Sequence, residues 1–215
     1  VIANSGFTTL MLSLLYGIEP AGIVHPPIDT DVFRPLGVKT KDKEVLVYLG
    51  SNAGDTCPTL LKQLLELLIS SNCIDKINLF GNKSIYQSLS KFLSHSLINT
   101  VPSVSDMELA QMYSKSIFTI SPQEWETFGY VPVESMLCFT PVLAFALMPF
   151  TELLQDKDIA HLVYSRKALL ERLKELLTDM DCLQLMKQSC LHRREDLLNI
   201  VSQAHSADRL LSVLS

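Results

Sequence analysis

No run of basic residues longer than His192-Arg193-Arg194 occurs in this chain, and its formal net charge is -5 with a pI near 5.5. Without a cationic stripe there is no electrostatic footprint for a phosphate backbone, which excludes nucleic acid as the expected partner. Long apolar runs are missing as well. The longest candidate, Met136 to Pro149, is broken at Thr140-Pro141 and falls short of the roughly 18 to 20 residues a bilayer span needs. Cysteine is sparse and unpatterned: Cys57, Cys73, Cys138, Cys182 and Cys190 are odd in number and never spaced as CxxC. That argues against a disulfide framework and a zinc site and for reduced thiols in a cytosolic protein. His25, His95, His161, His192 and His205 lack ligand spacing, and no Walker loop, GxSxG elbow or full GxGxxG fingerprint occurs. Nothing before Val1 reads as a signal peptide, and the chain opens on what looks like a strand interior, so a truncated piece of a longer protein is expected.

What is present is a core. With 215 residues, 47% of them hydrophobic and 19% charged, the chain can bury one large domain or one domain and a fragment. Short β-branched runs alternate with longer amphipathic ones, the signature of a parallel sheet covered by helices. Residues 44 to 50, "EVLVYLG", read as a buried strand, and the following "TLLKQLLELLISS" as a helix. "KINLFGN" and a helix over "SIYQSLSKFLSH" repeat the theme, followed by "INTVPSV", a helix over "SDMELAQMYSKS", and the strand "IFTISP". A short helix "VPVESML", strands "PVLAFA" and "AHLVY", and two or more helices complete the α/β pattern. Ser105 with Glu108 predicts a capping box, and Ser165 a helix cap. The first residues form a different piece, a helix "GFTTLMLSLLYG" and the proline-containing "IVHPPIDTDVFRP", leading into the main unit near residue 40.

Chemistry concentrates in "EWETFGYVPVE", residues 124 to 134. In such a sheet, ligands bind at the carboxyl ends of strands, and this stretch follows one of them. Pro132 marks the first turn of the next helix, so backbone N–H groups of Phe128, Gly129, Tyr130 and Val131 would form an anion site at its amino end. Gly129 lets the backbone approach a ligand closely. Glu134 is expected in the first helical turn, where capping and ligand holding are both open readings. Asp29-Thr-Asp31 has the form of a metal-diphosphate motif, but beside "VFRP" it reads as a turn.

The span from Glu126 to Glu134, two glutamates separated by seven residues with Phe128-Gly129 between, resembles the donor-site motif of the group 1 family of retaining glycosyltransferases. Three further blocks resemble the same family in the same order: "IANSGFTTLMLSLLYGIEPAGIVHPPIDTDVFRP", "VSDMELAQMYSKSIFTISP" and "ESMLCFTPVLAF". The resemblance implies the C-terminal half of the GT-B architecture, a Rossmann-like parallel sheet flanked by helices. Residues 1–38 would then be the trailing piece of an N-terminal acceptor domain with the interdomain segment, and 39–215 the nucleotide-sugar-binding domain. It implies transfer of a sugar from a nucleotide-diphosphate sugar with retention, with no metal or other cofactor. Glu126 would be the catalytic carboxylate against the donor sugar, and Glu134 would accept from the ribose hydroxyls. Thr127, Phe128, Gly129, Tyr130 and Val131, with Gly50 and Ser51 after the first strand, would bind donor. Carboxylates suit paired hydroxyls and N–H groups suit phosphate oxygens, so the resemblance favours ligand holding for Glu134. Glu124, outside the motif, is expected to face solvent. The expected partners are a nucleotide sugar and the acceptor-binding domain, the expected location the cytoplasm, with peripheral contact to the inner membrane face left open. This half alone is expected to transfer little, since the reacting groups meet between the two domains.

Three departures from the family pattern stand out. The family's Gly-Arg and following Lys after the first strand, which neutralise the diphosphate, are replaced by Gly50-Ser-Asn-Ala-Gly54-Asp-Thr-Cys-Pro58, where Asp55 would oppose a dianion. Lys62 or the missing domain could supply the cation. Phe139 stands where the family has a helix-ending glycine, which predicts a turn that either differs from the family's or is strained. "ALMPFTELL" keeps the family's glutamate as Glu152 without its glycines. A binding or interaction module that has lost catalysis is therefore the alternative reading.

Overall fold

The structure, a computed structural model, describes residues 1–37, 42–52, 54–101, 103–154 and 160–214. The expected border between residues 38 and 39 lies outside the described residues. Helix α1 (Gly6–Tyr16) precedes strand β1 (Glu44–Tyr48) and helix α2 (Pro58–Ser70). Strand β2 (Lys76–Phe80) leads through a 3-10 helix (Lys83–Leu89) to α3 (Ser90–Leu93), and β3 (Ile98–Val101) to α4 (Asp106–Lys115). Strand β4 (Ser116–Ser121) is followed by α5 (Tyr130–Leu137), β5 (Val142–Phe145) by α6 (Met148–Leu153), and β6 (Ala160–Val163) by α7 (Arg166–Thr178), α8 (Met180–Val201) and α9 (Gln203–Leu214). Every neighbouring pair is parallel, in the order β3-β2-β1-β4-β5-β6. Strand order reverses between β1 and β4, and that is where such a sheet opens a crevice at its carboxyl ends. The Rossmann-like expectation holds.

Local chemistry explains the elements. β1 is buried along its whole length because both faces are covered, as a parallel central strand requires. Leu60, Leu61, Leu64, Leu65 and Leu68 give α2 one apolar stripe, which packs with Leu79, Phe118 and Leu173 on one face of the sheet. The other face packs Leu46, Phe80, Tyr113, Phe128, Met136 and Val201 together. Ile28 and Phe33 belong to that second cluster, so the segment before β1 contributes to the main core. The Ser105–Glu108 capping box forms, and Ser165 accepts from the Ala168 amide at the start of α7.

Two expectations are corrected. The helix over "SIYQSLSKFLSH" is a 3-10 turn with one short α-helical turn, because serines bond locally: Ser88 Oγ donates to the Ile85 carbonyl at 2.6 Å. Val1 does not sit in a strand; only an isolated bridge joins Ala3 to Ile23. The strain expected at Phe139 is present: it takes the left-handed conformation, at φ 64°, which costs a non-glycine residue about 1–2 kcal/mol. Among the described residues no helix is long and apolar enough to cross a membrane.

Candidate functional site

Two connections meet at the switch point, the segment from β1 to α2 and the loop from β4 to α5. Gly129 caps α5 at φ 94°, and a Cβ there would stand 2.0 Å from Phe150 Cε1. Both the backbone angle and the contact demand glycine. Because Gly129 has no side chain to offer, the first-turn amides of Tyr130 and Val131 lack a side-chain cap, leaving the amino end of α5 available to an acceptor-rich ligand. The Phe128 ring is buried, 5.2 Å from the Tyr130 ring and 6.0 Å from His25, so its backbone rather than its side chain is positioned for a ligand.

The two glutamates of the motif behave differently. Glu126 folds back on its own loop, its Oε1 accepting from the Thr127 amide at 2.8 Å and the Phe128 amide at 3.4 Å. Glu134 lies one turn inside α5, beyond the first turn expected for it, and only 9% of it is exposed. It is not a capping residue. The Tyr113 hydroxyl donates to its Oε2 at 3.1 Å. Burial pushes its pKa up to about 7, against the Tyr113 hydrogen bond, and the charge of Asp106 adds to the rise. A carboxylate with one donor and little water gains from further hydroxyl donors.

Tyr48, at the end of β1, links the two connections. Its hydroxyl is 2.6 Å from Ser51 Oγ. Burial raises its pKa, and the charges of Glu126, Asp55 and Glu134 raise it further. The charges of all three carboxylates therefore reach one phenol. Gly50 and Ser51 follow β1, and the Ser51 amide already donates to Asp55 Oδ2 at 2.9 Å.

Among the described residues no Lys or Arg side chain is hydrogen-bonded or ion-paired to Glu126 or Glu134. Lys62 makes no ion pair or hydrogen bond among the described residues. Arg166 grips Glu124, at the start of the β4–α5 loop motif, through Nε to Oε1 and through Nη2 to Oε2 at 2.6 Å. Glu124 is thus partly exposed yet ion-paired, and its pKa is lowered by the Arg166 hydrogen bonds. Glu152 anchors α1: its Oε2 accepts from the Gly6 amide at 2.8 Å, and its Oε1 lies 3.6 Å from His25 Nε2. Ser5 Oγ donates to the Thr127 carbonyl at 2.6 Å, which fixes the loop carrying Glu126 to the same segment. Among the described residues no three His, Cys, Asp or Glu side chains gather as a metal site would.

Sequence reasoning did not single out Tyr48, Tyr113 or Trp125. Tyr113 had a signal, a polar tip on the buried face of α4. Trp125, 55% exposed beside Phe7 at 5.1 Å, had only its position next to the motif. A cavity of about 610 Å³ lies among α2, α3 and α7, lined by Glu66, Phe92, His95 and Lys174. It sits on helix faces, away from the strand ends where ligands of such sheets bind.

The family model described as "Glycosyl transferases group 1" matches residues 37–189. The chain belongs to the group 1 glycosyl transferases. Among curated relatives, a D-inositol 3-phosphate glycosyltransferase of Thermomonospora curvata is 24% identical over 193 residues, covering 76% of this chain and 44% of that protein. One of Mycobacterium bovis is 26% identical over 163 residues, covering 68% of this chain and 34% of its own. The group 1 chain thus spans well under half the length of these relatives. A sucrose-phosphate synthase of Thermosynechococcus elongatus superposes with a TM-score of 0.79 at 17% identity, over 100% of this chain and 57% of that one. TarM gives 0.81 at 13% identity, over 100% and 43%. Anabaena HepE, solved with UDP and glucose, gives 0.78 at 14% identity, over 100% and 62%. These likenesses show the fold, the C-terminal Rossmann-like half of the GT-B architecture.

Proposed function

We propose that this chain is the donor-binding half of a retaining glycosyltransferase, moving a hexose from a nucleotide-diphosphate sugar to an acceptor held by an N-terminal domain. The supporting observation is the buried Glu134, with Tyr113 the single donor to its carboxylate among the described residues, in the helix whose amino end at Gly129 has no side-chain cap. Glu134 receives the ribose hydroxyls, since its carboxylate is buried and has only the Tyr113 donor. The amides of Gly129, Tyr130 and Val131 meet diphosphate oxygens with the favourable end of the helix dipole behind them. Glu126 releases the Thr127 and Phe128 amides and turns to the hydroxyls of the donor sugar near the reacting carbon. Rate enhancement comes from positioning and from stabilising the departing diphosphate, not from a protein nucleophile. Residues 1–38 are the trailing part of the acceptor domain with the interdomain segment, 39–215 the donor domain, and the setting is the cytoplasm, with no cofactor. Alone, this half binds donor weakly and transfers little.

Calorimetry with uridine, guanosine and adenosine diphosphate sugars tests the reading. Saturable binding to one of them, abolished in Glu134→Ala, is expected. Because hydroxyl donors favour the ionised form of Glu134, affinity also rises between pH 6 and 8. One observation favours a second reading, a non-catalytic binding module: the segment after β1 carries no cation and holds Asp55 against its own amides. Silence across the whole panel favours that module over the transferase.

A further inference from the structure

Building on the donor-site reading, we propose that Asp55 is an internal competitor for the ligand's phosphate, occupying the two amides that an oxyanion would use after β1. Asp55 Oδ2 accepts from the Ser51 amide at 2.9 Å and the Asn52 amide at 2.6 Å. One oxyanion receiving adjacent backbone N–H groups is how turns of this kind hold phosphate. The arrangement is built in. Gly50, at φ 87°, has no Cβ to collide with Asp55, and one placed there would stand 2.7 Å from Asp55 Cβ. The Glu124 amide donates to the Asp55 carbonyl at 2.9 Å, tying this residue to the loop that carries Glu126. The Ser51 hydroxyl, the other group available to a phosphate, is engaged with Tyr48.

A phosphate approaching the segment meets filled amides and a like charge, with no lysine or arginine in the segment to offset it. Ligand selection in this chain therefore shifts from phosphate charge toward the hydroxyls read by Glu126 and Glu134. Full engagement of a diphosphate requires the Asp55 side chain to leave Ser51 and Asn52.

Inorganic pyrophosphate is the probe, titrated by calorimetry into the wild-type chain, Asp55→Ala and Asp55→Asn. Two charge-assisted bonds become available to the probe and one repulsion disappears, so Asp55→Ala binds it at least roughly tenfold more tightly. Asp55→Asn, which can still accept from both amides but carries no charge, falls between. Amide resonances of Ser51 and Asn52 in the wild-type chain reach their bound positions only at pyrophosphate concentrations about tenfold above those that saturate Asp55→Ala. Wild-type shifts at low pyrophosphate, or affinity unchanged in folded variants, overturns the proposal. The donor reading fails separately. Pyrophosphate binding gained by the variants with no sugar nucleotide bound by any form keeps Asp55's role and removes the donor. Tight sugar-nucleotide binding indifferent to Asp55 does the reverse.

Discussion

Glu44 and Glu134 are buried to nearly the same depth, 8% and 9% exposed, yet they do opposite things at the two ends of the sheet. Glu44, at the amino end of β1, receives the Asn78 side-chain amide at 2.8 Å and has Lys76 Nζ at 4.0 Å. Asn78 in turn accepts from Asn99 at 2.8 Å, so a polar ladder crosses β1, β2 and β3 with its buried groups satisfied. Glu134, beside the carboxyl ends, has the single Tyr113 hydroxyl, and burial drives it toward neutrality. Burial alone does not make a carboxylate functional. The difference lies in partners, since Glu44 has a lysine within ion-pair reach beside its amide donor, whereas Glu134 has a single hydroxyl and no ion pair among the described residues, a free-energy cost that a ligand can relieve.

The sharpest way to break the contrast is to close the functional end. Gly129→Ala sets a methyl against the buried Phe150 ring at a backbone angle unsuited to alanine. A loss of about 3 kcal/mol or more in urea unfolding is expected, together with loss of any sugar-nucleotide binding. A melting point equal to wild type would show that the loop re-forms without glycine.

Glu134→Gln sharpens the comparison next. The folded-state pKa of about 7 lies above the ordinary glutamate range, so the folded protein holds its proton more tightly than the unfolded chain does. Stability then falls as pH rises from about 4.3 toward 7 and levels off above it, by roughly 3 kcal/mol from this group. The glutamine variant has no charge to bury. Denaturation curves at pH 4.5 and 8 are expected to show that the variant gains on wild type only at the higher pH, while losing ligand affinity. Equal pH slopes in the two proteins would mean that Glu134 is not the group responsible.

The smaller effect belongs to the structural end. Glu44→Ala strands a buried Asn78 donor and costs about 2 kcal/mol, with ligand binding unchanged. If that variant lost binding instead, the two ends of the sheet would be coupled and the division drawn above would not hold.

Much of this was legible from residues alone, for local reasons. The Ser105–Glu108 box, the Ser165 cap and the leucine stripe of α2 depend on neighbours three or four positions away, and they form as the spacing implies. Gly129 was legible because a Phe-Gly pair before a proline-marked helix start signals a close backbone approach. The stretch after Asn82 was misread because serine hydroxyls compete for backbone groups, and apolar spacing does not register that competition. Glu134 was identified as a ligand group but set one turn too early. Its pairing with Tyr113, 21 positions away, has no sequence period. Asp55 was seen as an unfavourable charge, but not as the occupant of the Ser51 and Asn52 amides.

The amino-acid order by itself determined the parallel α/β architecture, the helix starts and the family, because periodicity, caps and motif spacing are short-range properties written along the chain. Only the tertiary structure decided which carboxylates are satisfied, which fold back on their own loops and which is left half-paired beside the crevice. Those outcomes depend on desolvation and on partners from distant strands and helices, and burial and distance exist only once the chain has packed.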